Sequence, residues 1–585
     1  MQNPPGTAGH GWLVKVGSRT ARPASGECPT HRYTAVRPLL TADPCPPFRP
    51  APLEEFGLGP LWAALDRWEH DGQPLDRVLE EVRRAQGPLW GRSTSAHPAL
   101  LAWTAEALER YAAARTAEQG TARAHGLPLT APVRFGWTVR TRRMLALDAR
   151  GAGQYEHTVW GRQYTSADGS VRDLWLPSLG SAKPDRAAAE KAAIAHVVLN
   201  GMPARRRRRD ALPPETATEP ARLPDRVRVF DFGCADGSVT RLLDWGPEET
   251  REKFAAHAAP VFHAVATGSG TRPGPSCVEC KAISRCDPLR RTPGLWGGSP
   301  TVPARSRRSV SAWDLRLHSE CPAQYHLVRR LHLDGLVPES DGARRGRVVD
   351  AWLNARHATR PVRGCRDLAA SETAELPVGH GLDAPLAQAA VRMLEEHRSL
   401  CPLNGLTPDE QVRVQPRVTA YVPELDVVVL AVPDLIYTHR GRWIWRETKT
   451  AASALWEGRS LLRSYPQLAL GVLLLAAGAL GADRQVSHME FELLREGRGE
   501  SHLERIDPGR AAIVAEAREV VASLAQPLLD DTEYEPRTGR HCHGCQARRW
   551  CKPGSAYAAD HPAGAGRRPR TGQADPADAR GPARA

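Results

Sequence analysis

Three side chains late in the chain have the types and spacing for metal-assisted hydrolysis. In Val427 to Ala452, VVVLAVPDLIYTHRGRWIWRETKTAA, Asp434 is followed by Glu447, Thr448 and Lys449. Val427 to Val432 is a β-branched apolar run suited to a buried strand, His439-Arg440-Gly441 is a polar turn, and Arg442 to Thr450 is a second strand. Side chains in a strand alternate, so Glu447 and Lys449 share one face and Thr448 takes the other. Strand pairing then brings Asp434 beside Glu447, and two hard oxygen ligands at one spot suit Mg²⁺ or Mn²⁺. Such an ion can hold a scissile phosphate, polarise a water and stabilise charge on the leaving oxygen, with Lys449 orienting or helping to deprotonate the water. An exposed strand with a surface ion pair fits the same residues, because E-x-K recurs easily in a chain that is 25% charged.

The cysteines offer a second chemistry. C-x2-C-x5-C occurs twice, at Cys277, Cys280 and Cys286 and at Cys542, Cys545 and Cys551, and each triplet follows a distant Glu-Cys-Pro at Cys28 or Cys321. The N-terminus, MQNPPGTAGH, has no signal-peptide character, so the twelve cysteines are expected in a reducing cytoplasm, where clustered thiolates bind metal rather than form disulfides. Four thiolates suit an iron-sulfur cluster, and zinc is the alternative. The x2 and x5 spacing differs from the paired C-x2-C knuckles of zinc ribbons. The net charge of +13 favours a polyanionic partner such as DNA, although an arginine-rich composition also follows from a GC-rich genome. No apolar segment reaches the length of a membrane span; the longest, Leu468 to Leu480, reads as a buried helix.

The elements that must position these groups recur in order. Helical patterns at Pro60 to Trp68 and Ala99 to Ala114 precede strands at Val133 to Ala146, Thr158 to Tyr164 and Val171 to Leu176, a helix at Asp185 to Leu199, and a strand at Val227 to Phe232. Later come helices at Gly346 to His357 and Ala384 to His397, strands at Gln415 to Val422, Asp426 to Val432 and Arg442 to Thr450, a helix at Tyr465 to Leu480, a strand at His488 to Leu493 and a helix at Pro508 to Leu524. The expected fold class is α/β, with two tandem domains, each a mixed central sheet flanked by helices and stapled by four cysteines. The boundaries expected are 1–287, a linker at 288–311, a second domain at 312–553 and a disordered tail at 554–585. The five-arginine run at Arg205 to Arg209 and the proline-rich stretch after it read as a disordered loop.

Pro433-Asp434 with Glu447-Thr448-Lys449 resembles the PD-(D/E)XK nuclease signature. One upstream cysteine with a C-x2-C-x5-C triplet resembles its RecB-like iron-sulfur branch, the group of AddB-type and CRISPR-adaptation exonucleases, over most of Ser309 to Lys552. The resemblance implies a restriction-endonuclease-like fold. It also implies a 4Fe-4S cluster on Cys321, Cys542, Cys545 and Cys551, and a second on Cys28, Cys277, Cys280 and Cys286. The group carries G-x-x-x-H on its first helix, where this chain has Gly346 and Asp350, making Asp350 a further candidate ligand. It carries Q-x-x-x-Y after the lysine, where this chain has Gln467 and then Gly471; Gln467 would contact DNA or organise the site. The implied activity is a Mg²⁺- or Mn²⁺-dependent DNA nuclease, an exonuclease, in repair, recombination or phage- or CRISPR-related DNA processing, with a helicase or other DNA-processing subunit as possible partner.

Aligning Tyr164 with Tyr437 sets Gly161 opposite Asp434, and Val171 to Leu176 has no E-x-K. The first half is therefore expected to be a catalytically inactive scaffold or DNA-binding platform. Arg442, Arg446 and Arg463 are candidate phosphate contacts. Two other readings remain: a non-catalytic DNA-binding or assembly subunit, and an S-adenosylmethionine-dependent methyltransferase. The latter rests on FDFGCADGS, which resembles that family's glycine-rich first motif at Asp231 to Gly237; a strand-turn-strand about Ala235-Asp236-Gly237 reads the same residues more simply.

Overall fold

The strand expected at Arg442–Thr450 forms with those bounds and lies at the centre of a five-stranded sheet. The computed structural model describes residues 3–23, 26–45, 51–90, 93–141, 153–205, 215–216, 222–297, 306–333, 335, 337–368, 381–451, 458, 460–480, 486–497 and 499–562. Most of the Arg205 to Arg209 run, the end of the Val133 to Ala146 strand and most of the C-terminal tail lie outside the described residues. The architecture is mixed α/β, with several sheets and packed helices.

Two five-stranded sheets share one order and one pattern of strand sense. In the second half the order is His502–Ile506, Val486–Leu494, Arg442–Thr450, Leu435–His439 and Val412–Val414. In the first half it is Val239–Trp245, Arg226–Gly233, Val171–Ser178, Arg162–Ser166 and Thr130–Pro132. In each, one pair is parallel, Arg442–Thr450 with Val486–Leu494 and Val171–Ser178 with Arg226–Gly233, and the other pairs are antiparallel. Parallel neighbours need a crossover. The helices Pro466–Ala476 and Ala188–Asn200 supply it.

Both faces of the second sheet are covered. Trp443, Trp445, Phe491 and Leu493 meet the helices Pro466–Ala476 and Ala511–Asp530, while Ile444, Leu435 and Tyr437 meet Asp341–Ala358 and Ala384–Leu400. Arg440 and Gly441, both in the left-handed region at φ +54° and +75°, turn Leu435–His439 into Arg442–Thr450. Two positive φ values in succession give the two-residue turn whose twist matches a hairpin.

Several expectations change. Val427–Ala431 pairs with Val418–Val422 and Arg308–Val310 in a different sheet, not with the hairpin. Pro433 separates it from Leu435–His439, since proline donates no ladder hydrogen bond. The strand expected at Gln415 to Val422 begins only at Val418, and a separate strand, Val412–Val414, precedes it in another sheet, with Gln415 at φ +43° between them. Thr158 to Tyr164 divides at Gly161. The apolar helix runs over Pro466–Ala476, opening on proline at its first turn, and is buried as expected. Among the described residues no helix is long and apolar enough to cross a membrane.

The stretch read as a linker is partly built into the second half, because it contains apolar anchors. Arg290–Arg291 pair with Ala420 and Tyr421, Leu295 and Trp296 enter the core, and Arg308–Val310 is a strand. Lys552–Asp560 is a helix, where the disordered tail was expected to begin at 554. The halves are also packed together: Trp175 and Phe230 share a core with Leu327, Cys545 and Trp550, and Cys277 and Cys280 share one with Tyr421 and Val428.

Candidate active site

Pro433 ends one strand, so Asp434 stands at the entry to the next, level with the end of Arg442–Thr450. There its Oδ2 accepts a hydrogen bond from the Thr448 backbone N–H at 2.7 Å and lies 3.6 Å from Lys449 Nζ. Glu447 Oε2 is 3.7 Å from the same ammonium, and its Oε1 accepts from the Trp445 indole at 2.9 Å. Glu447, Lys449 and Asp434 thus converge, and Thr448 turns to the other face, where its hydroxyl is 3.0 Å from Glu492 Oε2.

Asp350 comes to this point from the helix Asp341–Ala358 and accepts from Asn354 at 3.0 Å and Gln415 at 3.2 Å. Gly346, one turn earlier, is what lets that helix approach: a Cβ there would meet Thr450 Oγ1 at 2.9 Å. A cavity of about 380 Å³ is lined by Gly346, Asp350, Asp434, Thr448 and Lys449. A second, of about 570 Å³, is lined by Glu447, Lys449, Gln467 and Trp445, so Lys449 borders both and Gln467 stands with the lysine and glutamate.

Burial and the Asp434 charge raise the pKa values of the other two carboxyls of the cluster. Burial, and then the Asp434 carboxylate, push the Glu447 carboxyl up to about 7. Burial and Asp434 also raise Asp350. Burial works against the Lys449 ammonium, but Asp434, Glu447 and Asp350 outweigh it and raise its pKa above the ordinary lysine value. Three carboxylates facing one ammonium leave an excess of negative charge. Carboxylate oxygens are the donor type a divalent cation prefers, although the three do not gather within 4.8 Å of one another.

The basic candidates fare differently. Arg446 is not available to DNA: it is 2% exposed and pairs with Glu490 at 2.7 Å and Glu492 at 3.0 Å. Its even-numbered position turns it to the face opposite Glu447, under the helices. Arg442 is exposed but sits at the hairpin turn, about 16 Å along the strand from Glu447 at roughly 3.3 Å per residue. Arg463 is half exposed and pairs with Glu519 at 2.9 Å. The larger cavity instead presents Arg316, Arg329 and Arg417 together with Trp313, which is 50% exposed and carries the Arg316 guanidinium 4.6 Å from its ring. Sequence reading missed this group, because nothing in WDLRLHSE distinguishes an aromatic at a cleft from one in a core.

At Gly471, where the resemblance called for tyrosine, a Cβ would run into the Met489 methyl and come within 3.4 Å of the Trp445 ring, so a side chain there needs Met489 to move. Tyr465 packs against Phe491 with ring centroids 4.6 Å apart and the rings tilted by 42°, and its pKa is raised by burial against the pull of Lys449.

In the first half the positions equivalent to Asp434 and Glu447 carry no carboxylate. Register equates Arg162–Trp175 with Leu435–Arg446, which sets Gly161 at Asp434, Leu176 at Glu447 and Ser178 at Lys449. Gly161 has φ +152°, and a Cβ on it would meet the Trp175 carbonyl oxygen at 2.7 Å. Asp231 is fully buried and bonded by Ser178 at 2.8 Å, the Lys183 backbone at 3.1 Å and Arg186 at 2.7 Å, so its carboxylate is not free to hold a cofactor. Arg226–Gly233 and Val239–Trp245 form the strand-turn-strand about Gly237.

The members of each cysteine quartet line a common cavity. Cys28, Cys277, Cys280 and Cys286 line one cavity and Cys321, Cys542, Cys545 and Cys551 another. The backbone repeats closely: Cys280 and Cys545 have φ/ψ of −72°/122° and −73°/121°, and Cys286 and Cys551 have −87°/100° and −93°/98°. The upstream sulfurs accept matching bonds, Arg272 N–H to Cys28 Sγ and Arg537 N–H to Cys321 Sγ, both at 3.4 Å. Among the described residues, the one group of potential metal ligands whose atoms all lie within 4.8 Å of one another is neither quartet but His357, Cys365, His397 and Cys401.

No curated protein matches the chain. Among solved structures, a chain from Eubacterium rectale designated a candidate exonuclease is similar at 12% identity, covering 41% of this chain and 86% of that one with a TM-score of 0.27. Residues 309–552, the segment holding Asp350, Asp434, Glu447, Lys449 and the second cysteine quartet, match the PD-(D/E)XK nuclease superfamily model and form a domain of that superfamily.

Proposed function

We propose that the chain is a divalent-metal-dependent DNA nuclease of the RecB-like branch, probed by DNA along the larger cavity and cutting only in its second half. The observation that carries this reading is the meeting of Asp434 and Glu447 on Lys449, at 3.6 and 3.7 Å. Asp434, Glu447 and Asp350 would hold Mg²⁺ or Mn²⁺, which when bound supplies Lewis acidity at the scissile phosphate. Lys449, held as an ammonium by its carboxylate neighbours, orients the attacking water and neutralises charge on the phosphate rather than removing a proton. Trp313 offers a face for an unstacked base, with Arg316, Arg329 and Arg417 along the backbone path. Gln467 contacts the strand from the adjoining helix.

The first half, with its matching sheet order and vacant carboxylate positions, is a duplicated platform. Each cysteine quartet holds a 4Fe-4S cluster. A single zinc ion with Zn–S near 2.3 Å draws its sulfurs to about 3.8 Å apart, and the quartets are wider than the group gathered within 4.8 Å. Free thiols in such clusters suit a reducing cytoplasm.

The test is degradation of end-labelled single- and double-stranded DNA by anaerobically purified protein with Mg²⁺ or Mn²⁺. Cutting is expected in the wild type and lost in Glu447→Ala, with iron and sulfide content unchanged. DNA binding without cutting in either metal would replace this reading with a non-catalytic binding subunit.

A further inference from the structure

A second metal chemistry lies beneath the catalytic sheet, in residues that neither cysteine motif includes. His357 is in the last turn of the helix Asp341–Ala358, Cys365 opens the turn after it, and His397 and Cys401 close the helix Ala384–Leu400, four residues apart. All four are buried, at 6%, 0%, 0% and 4% exposure. His357 Nε2 lies 3.4 Å from His397 Nε2 and 3.7 Å from each of the sulfurs of Cys365 and Cys401.

Those separations are those of a tetrahedron's edges. With Zn–N near 2.05 Å and Zn–S near 2.3 Å, tetrahedral angles put the nitrogens about 3.3 Å apart and each nitrogen about 3.6 Å from each sulfur. Hydrogen bonding explains the arrangement less well, because 3.4 Å is long for a bond between two ring nitrogens. His397 also has the outer partner that metal-bound imidazoles use. Its Nδ1 is 2.8 Å from Glu492 Oε1, which accepts a hydrogen bond from Nδ1–H and so leaves the Nε2 lone pair facing the other three ligands.

We propose that His357, Cys365, His397 and Cys401 form a structural zinc site, distinct from the carboxylate centre and from both cysteine quartets, that pins two helix ends under the catalytic strand. The link to that strand is short. Glu492, which orients His397, also bonds Thr448, whose backbone N–H holds Asp434. Two thiolates neutralise the dication, so the ion enters the core without leaving net charge. The site stands independently of whether the domain cuts DNA.

The experiment is elemental analysis of the untagged full chain, expressed with zinc and iron supplied, alongside Cys365→Ser/Cys401→Ser. The wild type is expected to hold one zinc per chain beyond any in the quartets, and the double variant to lose that equivalent with iron unchanged. Zinc-edge X-ray absorption of the wild type requires no variant and is expected to report two nitrogen and two sulfur neighbours; it decides the matter if the double variant does not fold. A wild type without zinc, a zinc content unaltered in a soluble double variant, an all-sulfur zinc environment, or a Cys365–Cys401 disulfide recovered by peptide mapping would each overturn the proposal.

Discussion

Replacing Glu447 by glutamine should stabilise the metal-free protein while abolishing its function. The carboxyl is 5% exposed, and burial together with Asp434 raises it from an ordinary 4.5 to about 7. A folded-state pKa above the unfolded value means that the native state binds the proton more tightly, so stability falls as pH rises from the unfolded value through about 7. At 1.36 kcal/mol per pKa unit, the raised pKa costs the fold about 3 kcal/mol at pH 8, where the group is ionised, and about 1 kcal/mol at pH 5, where it takes up a proton on folding. Glutamine has the same shape, retains the acceptor for the Trp445 indole and carries no charge to desolvate. Denaturant melts of wild type and Glu447→Gln, in buffer free of added divalent cations, should therefore show the variant more stable by about 3 kcal/mol at pH 8 and by about 1 kcal/mol at pH 5. Mg²⁺ or Mn²⁺ should raise the wild-type midpoint and leave that of the variant unmoved. A variant less stable than wild type at pH 8 would refute the claim that this carboxylate is held against its own electrostatics.

Metal affinity should follow the same group: Mn²⁺ binding, measured by titration calorimetry, should weaken about tenfold per unit as pH falls below 7, because the proton on Glu447 must leave first. Arg446→Ala should destabilise the second half by about 3–5 kcal/mol, by leaving Glu490 and Glu492 buried without their counter-ion, with DNA binding by any remaining folded protein unchanged. Burial notwithstanding, His488 and Arg446 hold Glu490 down to about 2, so its share of that loss is present above pH 4.5 and fades as pH falls towards 2. Trp313→Ala should weaken single-stranded DNA binding by about 1–3 kcal/mol, read as fluorescence anisotropy, with the fold unaffected. Lys449→Ala should keep the divalent-ion thermal shift and reduce cutting by about 100-fold or more.

Local rules made part of this protein legible from its residues. Alternation put Glu447 and Lys449 on one face, and the glycine after Arg440 marked the hairpin turn, because both depend on neighbours in the chain. The repeated cysteine spacing was legible for a related reason: it is read from neighbours in the chain, and the members of each quartet line one cavity. What the sequence could not supply is which distant element covers each face. Arg446 looked like a phosphate contact until the helices Asp341–Ala358 and Ala384–Leu400 closed over its side of the sheet. Val427–Ala431 has the pattern of a buried strand in any sheet, and only packing placed it beside Val418–Val422 rather than in the hairpin. His357 and Cys365 lie at ordinary positions, and only His397 and Cys401 share a ligand-like interval. Their convergence comes from two helices crossing under one strand, a long-range arrangement that periodicity and spacing do not encode.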